Sequence, residues 1–258
     1  MPQVVPGAES WSAPGTPERA GVLVLHGFTA NPVGMRPLAE FLADRGFAVE
    51  LPRLPGHGTS HRDLQRTTWR DWTRAAEAAF DLLQARTRAQ VAVGLSMGAT
   101  LALHLAETRG EDLAGIVAIN PSIRNGDPRL RLLPALQWVV PTIGGIGNDI
   151  AKPGGDEKPY ARMPLKALAS QQRFQAAVRA DLAAVRVPTL LLTSRVDHVV
   201  DADNAELIRS AISATDVEQV WLERSYHVAT LDYDAEFIQD RTAAFVARVT
   251  APRMTASP

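Results

Sequence analysis

Gln90-Val91-Ala92-Val93-Gly94-Leu95-Ser96-Met97-Gly98, followed at once by the Ala- and Leu-rich run Ala99 to Ala106, is the stretch on which the fold turns. A short apolar strand enters, a helix leaves, and one serine stands between them. Gly94-Leu95-Ser96-Met97-Gly98 fits the pattern G-x-S-x-G, a strained strand-to-helix elbow. The positions two before and two after the serine must be nearly free of side chain, because strand and helix pack tightly on either side of it. Gly94 and Gly98 meet that need; a serine capping a helix after a glycine turn is the competing account.

Outward from the elbow, short β-branched and leucine-rich runs recur: Val22 to Leu25, Phe47 to Leu51, Val91 to Val93, Ile116 to Ile119, Thr189 to Thr193 and Val217 to Leu222. Helical segments lie between them, and the alternation predicts an α/β fold, a mostly parallel sheet with helices on both faces. In the first helix Pro37 suits the opening turn, Leu38, Phe41 and Leu42 form an apolar stripe, and Gly46 is the stop. Thr68 and Asp71 have capping-box spacing ahead of a stripe of Trp69, Trp72, Ala76, Ala79, Phe80 and Leu83, which reads as core. The last helix is expected to start near Asp234 and to bury Phe237, Ile238 and Phe245, with the chain fraying after Thr250.

One segment breaks the rhythm. From Ser122 to about Ser170 Pro and Gly are frequent, yet Leu130 to Ile146 is apolar, interrupted by Pro134, Pro141, Gly144 and Gly145. So long a connection between two strands of a compact sheet is usually functional. It reads as a small lid, residues 122–169, inserted into a core of residues 1–121 and 170–258; an ordinary loop carrying a packed helix is the alternative.

Composition narrows the function. The 258 residues with 46% hydrophobic content suffice for one large domain. A net charge of -1, from 27 basic and 28 acidic residues interspersed, leaves no footprint for nucleic acid or an anionic membrane, so the expected partner is small and uncharged. The absence of cysteine excludes disulfides, thiolate catalysis and cysteine-rich zinc sites. Met1 to Ala20 has no basic-then-apolar leader and no run of about 18 apolar residues follows, so a cytoplasmic setting without a transmembrane segment is expected, leaving room for transient contact with lipid surfaces.

A serine hydroxyl is a poor nucleophile until a base takes its proton, and six histidines are available. In a fold with this elbow the acid and then the histidine follow the serine, leaving His104, His198 and His227. His104 is two turns into the helix after the elbow and points away. His198 adjoins Asp197 at the end of the Thr189 to Thr193 strand. His227, in the loop after the last strand, is where the base belongs. The acid should come from the loop after the preceding strand, which nominates Asp197; Asp201 and Asp203 lie ahead of Ala205-Glu206-Leu207-Ile208 and read as helix caps. The oxyanion requires two donors, the Met97 amide and one from His26-Gly27-Phe28-Thr29, assigned to Phe28. His26 and His57 read as loop-holding hydrogen-bonding groups.

These residues resemble the bacterial monoacylglycerol lipases and the small bacterial carboxylesterases. The likeness rests on Leu25-His26-Gly27-Phe28-Thr29, Met35-Arg36-Pro37-Leu38-Ala39, Leu51-Pro52-Arg53-Leu54, Gly56-His57-Gly58-Thr59, Thr67-Thr68-Trp69, the elbow, Asp197-His198-Val199-Val200 and Ser225-Tyr226-His227-Val228-Ala229-Thr230-Leu231-Asp232, and covers nearly the whole chain. It implies the α/β-hydrolase fold, a Ser96, Asp197 and His227 triad, oxyanion amides at Phe28 and Met97, no cofactor, and a mobile cap over an acyl-binding tunnel. It implies hydrolysis of monoacylglycerols, with a general carboxylesterase as alternative. In such lipases a cap isoleucine and glutamate shape the glycerol pocket, a role falling to Ile146 and Glu157. Ala99 departs from the pattern, since relatives commonly have a second glycine there. A non-catalytic binding protein would normally have lost a triad member, and a cofactor-free oxidative enzyme shares the same residues, so only a product assay separates it.

Overall fold

A computed structural model describes residues 3–16 and 19–255. Its main sheet has the order β1-β3-β2-β4-β5-β8-β9, built from β1 (Trp11–Ala13), β2 (Gly21–Leu25), β3 (Ala48–Leu51), β4 (Gln90–Leu95), β5 (Leu113–Ile119), β8 (Thr189–Ser194) and β9 (Val217–Leu222). All pairs are parallel except β1 with β3, where Trp11 lies opposite Leu51. The expected α/β class holds. The three-residue edge strand β1 was not foreseen, because so short a run shows no period.

Side-chain alternation along the strands splits the core in two. Leu23, Leu25 and Ala92 face one layer with Trp72 and Phe80 of α3 (Trp69–Gln84), Leu101 of α4 (Met97–Arg109), Phe174 and Val178 of α6 (Leu165–Asp181) and Ile208 of α7 (Asp203–Ala211). Val22, Val24, Val91 and Val93 face the other, with Leu38 and Leu42 of α1 (Arg36–Asp44) and Ile238, Phe245 and Val246 of α8 (Ala235–Thr255). The short α2 (His61–Leu64) precedes α3, whose N-terminus carries the full Thr68–Asp71 capping box. Trp72 is buried, and Trp69 stacks on Phe174 with ring centroids 5.5 Å apart.

The C-terminal helix corrects two expectations. Phe237 is 44% exposed, because the buried stripe of α8 runs through Ile238, Thr242, Phe245 and Val246, one position away. The helix also continues past Thr250 to Thr255, where the Arg253 guanidinium donates to the Glu111, Asp112 and Leu113 carbonyls ahead of and within β5. That anchor holds a terminus whose composition alone suggests fraying.

The connection from β5 to β8 contains α5 (Leu133–Leu136) and an antiparallel pair, β6 (Thr142–Gly144) with β7 (Arg162–Pro164), before α6. Residue 169 lies inside α6, which runs from the small sheet onto the core. Among the described residues no helix is long and apolar enough to cross a membrane.

Candidate active site

The elbow forms as its sequence requires. Ser96 sits at φ 57, ψ -116, in the left-handed half of backbone space that disfavours any residue with a Cβ. The structure over-determines it. A Cβ on Gly94 would lie 2.1 Å from the Gly98 carbonyl group, and one on Gly98 2.1 Å from the Leu25 carbonyl oxygen. No side chain fits at either place, so α4 approaches β2 and β4 closely enough to lift Ser96 above the carboxyl edge of the sheet.

That edge gathers the other candidates. His227 follows β9 and Asp197 follows β8, and His227 Nδ1 lies 2.7 Å from Asp197 Oδ2. Both are nearly buried. The second carboxylate oxygen accepts from the Val199 and Val200 amides, each at 2.8 Å, so Asp197 is held by three donors. With Nδ1–H donating to the carboxylate, His227 Nε2 has its lone pair free to accept a proton. The Ser96 hydroxyl makes no hydrogen bond among the described residues, and it opens on the cavity that His227 also lines. Catalytic contacts commonly tighten only when substrate binds.

The loop after β2 passes beside the serine: a Cβ on Gly27 would be 4.0 Å from Ser96 Oγ. Phe28 follows it, and Met97 is the first residue of α4, where amides have no intrahelical acceptor. Behind this loop are two buried histidines. His26 Nδ1 lies 2.9 Å from the Gly27 carbonyl, and its Nε2 accepts from the Leu54 amide at 3.1 Å. His57 Nδ1 lies 3.1 Å from the Pro55 carbonyl, and its ring packs edge-on against His26, Phe28 and Trp72. Burial lowers His26 to about 4 and drives His57 well below the ordinary imidazole value, so both stay neutral.

The remaining nominees separate. His104 packs against Trp69 and Phe174, away from the serine. His198 turns to Asp149, with Nδ1 2.8 Å from Oδ1. Asp201 and Asp203 do not cap α7 with their side chains, which corrects that expectation: Ala202 holds the N-cap position, and Asp203 is the first helical residue. The Asp201 main-chain carbonyl accepts from Asn204 instead.

A cavity of about 460 Å³ opens over Ser96 and His227. Leu130, Leu133, Leu136, Ile143, Met163, Leu165 and Leu168 supply an apolar lining, and Ile146 and Glu157 line it too. Glu157 is buried; its Oε1 accepts from the Asn148 amide at 3.3 Å. Burial raises its carboxyl above the ordinary range, opposed in part by the nearby His227 imidazole.

Several supporting residues left no sequence signal. Asn120, at φ 42 after β5, donates to the His227 carbonyl at 2.8 Å and to Ser194 Oγ at 3.0 Å, while its Oδ1 accepts from the Ser194 amide. Asp232 accepts from the Ala151, Lys152, Tyr226 and Tyr233 amides. Apart from Tyr226 and Tyr233 these partners are far apart in sequence, and only the fold brings them together.

Comparison with known proteins agrees with this geometry. The family model Hydrolase_4 (serine aminopeptidase, S33) matches residues 16–234. The chain is 42% identical over 250 residues to the thermostable monoacylglycerol lipase of Bacillus sp. (strain H-257), covering 95% of this chain and 96% of that one. It is 26% identical over 229 residues to a carboxylesterase of Bacillus subtilis (strain 168), covering 88% and 92%. The solved structure of a metagenome-derived lipolytic enzyme superposes with a TM-score of 0.92 at 41% identity, over 95% of this chain and 100% of that one. With an elbow, a buried Asp–His pair and relatives matched almost end to end, the chain belongs to the Hydrolase_4 (serine aminopeptidase, S33) family of the α/β-hydrolase superfamily.

Proposed function

We propose that this carboxylic ester hydrolase acts on monoacylglycerols, releasing glycerol and a fatty acid through an acyl-enzyme. Ser96 Oγ attacks the ester carbonyl as His227 Nε2 takes its proton. Asp197 fixes the imidazole tautomer and stabilises the imidazolium that forms. The amides of Phe28 and Met97 receive the oxyanion, where fixed dipoles in a site closed to water are worth most. The tetrahedral intermediate then expels glycerol, whose alkoxide oxygen takes the proton from His227. Water, deprotonated by the same histidine, cleaves the acyl-Ser96 ester and completes the cycle. No cofactor enters this scheme.

The observation that carries the substrate assignment is the mixed lining of a single cavity. Leu133, Met163, Leu165 and Leu168 belong to one apolar cluster with Phe28, Leu130 and Val140 packed against it, a wall suited to an acyl chain. Each buried methylene contributes about 0.8 kcal/mol, so medium chains should outperform acetyl esters until the cavity is filled. Glu157, a buried acceptor near His227, supports a role in receiving the hydroxyls of a small polyol, with Ile146 giving that pocket an apolar side. We read residues 122–169 as the cap that supplies most of this lining, over a core of residues 1–121 and 170–258. Its outer surface supports contact with lipid aggregates, since Leu132, Trp138 and Val139 are 63%, 73% and 76% exposed.

The test is turnover of mono- and trioctanoylglycerol presented in the same detergent micelles. Faster release of acid from the monoester is expected, because a roofed cavity of this size has room for one chain. Equal or faster release from the triester overturns the assignment.

A further inference from the structure

Asp149 lies in the β5–β8 connection, within Ile146-Gly147-Asn148-Asp149-Ile150, and the scheme above gives it no role. Its carboxylate reaches both loops that carry the Asp–His pair. Oδ2 accepts from the His227 amide at 3.2 Å and the His198 amide at 3.1 Å, and Oδ1 lies 2.8 Å from His198 Nδ1. The Asp149 carbonyl also accepts from the Val228 amide at 3.0 Å. His198 is the residue after Asp197, so one side chain spans the acid loop and the base loop.

The base loop is otherwise fastened through its Tyr226 and His227 carbonyls and, by Asp232, through the Tyr226 amide. Asn120, rooted in the sheet, holds the His227 carbonyl, while Ser194 Oγ donates to the Tyr226 carbonyl. Asp149 holds amides of the same segment from the other side. Asp232 ties the Ala151 and Lys152 amides to the base loop but makes no bond to the acid loop. The side chain of Asp149 is 15% exposed, so its bonds face little competition from water.

We propose that Asp149 is a positioning residue: by gripping the main chain at His198 and His227 together it sets the geometry of the Asp197–His227 pair and makes the cap part of the catalytic frame. The requirement is for acceptors at two fixed points, and a negative charge is not needed. Asparagine meets it. Its Oδ1 can take both amides, and its NH2 can donate to His198 Nδ1 once that ring carries its proton on Nε2. Alanine meets none of it. A displacement of about 1 Å in a catalytic group costs roughly 100-fold in rate, whereas the apolar wall of Leu133, Met163, Leu165 and Leu168 is untouched, even though Asp149 itself borders the cavity.

The inference rests on the triad assignment, so Ser96→Ala is measured beside Asp149→Ala and Asp149→Asn, with p-nitrophenyl butyrate as a soluble probe. Asp149→Ala should lower kcat by about 10- to 100-fold with KM within about twofold, and Asp149→Asn should recover most of the loss. A protein weakened only in its packing would not give that split or that rescue. If the alanine variant does not fold, Asp149→Ser, too short to reach either amide, replaces it with the same expectation. Activity surviving in folded Ser96→Ala defeats the triad itself. With Ser96→Ala inactive, a kcat for Asp149→Ala within twofold of the parent, or an asparagine variant as impaired as the alanine one, defeats the positioning role alone.

Discussion

The floor and the roof of the cavity are built on opposite principles. The floor, the elbow of Gly94 to Gly98, is fixed by main-chain contacts too close to admit a methyl group at either glycine, with the loop of His26 to Thr29 packed beside it. The roof, the β5–β8 connection, has contacts that close only within itself, at Gly145 and Gly147; it is joined to the core by hydrogen bonds and apolar packing between distant segments, and it leaves Leu132, Trp138 and Val139 facing outward. Steric necessity leaves a mark in sequence, because it restricts which residue types can stand at fixed spacings. Hydrogen-bonded adhesion between distant segments leaves almost none. The chemistry of the floor is therefore easier to read than the selectivity of the roof.

The sharpest way to break this contrast is the same substitution in both places. Gly98→Ala would put a Cβ 2.1 Å from the Leu25 carbonyl oxygen, a clash with backbone that no rotamer relieves. We expect a loss of more than about 3 kcal/mol of stability or no folded product, at the severe end of single substitutions. Gly144→Ala in the roof meets nothing within 4 Å and should change stability by no more than about 0.5 kcal/mol. Urea unfolding of the two variants decides it, and comparable midpoints would end the distinction.

The same division explains what sequence could and could not convey. The elbow, the parallel strands and the capping box at Thr68 were legible because each is a local pattern with a local cause. The pairing of His227 with Asp197 was legible from their place after β9 and β8, and their part in catalysis is what we propose. Asp149 was not, since its partners are 49 and 78 residues away and an Asx residue in a glycine-rich loop looks like turn chemistry. Asn120 was hidden in the same way. Phe237 misled for the opposite reason: an aromatic residue beside Ile238 looks buried, and only the rotation of α8 against α1 and β5 decides which of the two faces the core.

A second expectation concerns protons buried under the floor. His26 and His57 are held neutral by burial, with folded-state values below the ordinary 6.5. Protonation is then easier in the unfolded chain, so stability is complete above about pH 6.5 and is lost as the pH falls through the interval down to about 4. At about 1.4 kcal/mol per unit, His26 alone accounts for a loss of about 3 kcal/mol over that interval, and His57 acts with the same sign. Glu157 opposes them, because its raised carboxyl is relieved by acid. The melting temperature should therefore drop between pH 7 and pH 4.5, and His57→Phe, which keeps a ring beside Phe28 and Trp72, should shallow the slope. A melting temperature constant across that range would show that His26 and His57 take up protons as readily in the folded chain as in the unfolded one, so that burial does not hold them neutral.

The smallest effect belongs to the outer face of the roof. Trp138 stands 73% exposed with the Lys166 ammonium 4.8 Å from its ring centroid, and Val139 beside it is 76% exposed. An indole next to a cation suits the boundary between headgroups and acyl chains, where the ring is half in hydrocarbon and the charge stays wet. Neither side chain belongs to the buried clusters, so replacing both costs the fold little. Trp138→Ser combined with Val139→Ser removes apolar area worth about 25 cal/mol per Å² when it enters lipid, which for a partly inserted indole and isopropyl group amounts to a three- to tenfold loss of affinity, roughly. The double variant should sediment less with phosphatidylcholine vesicles and hydrolyse aggregated monooleoylglycerol a few-fold more slowly. Its rate on a soluble butyrate ester should be unchanged, because the serine, the histidine and the cavity between them are the same. Unaltered vesicle binding would mean that the exposed apolar face of the roof is not what meets the lipid, and an equal loss on the soluble ester would mean that the two residues act through the cavity instead.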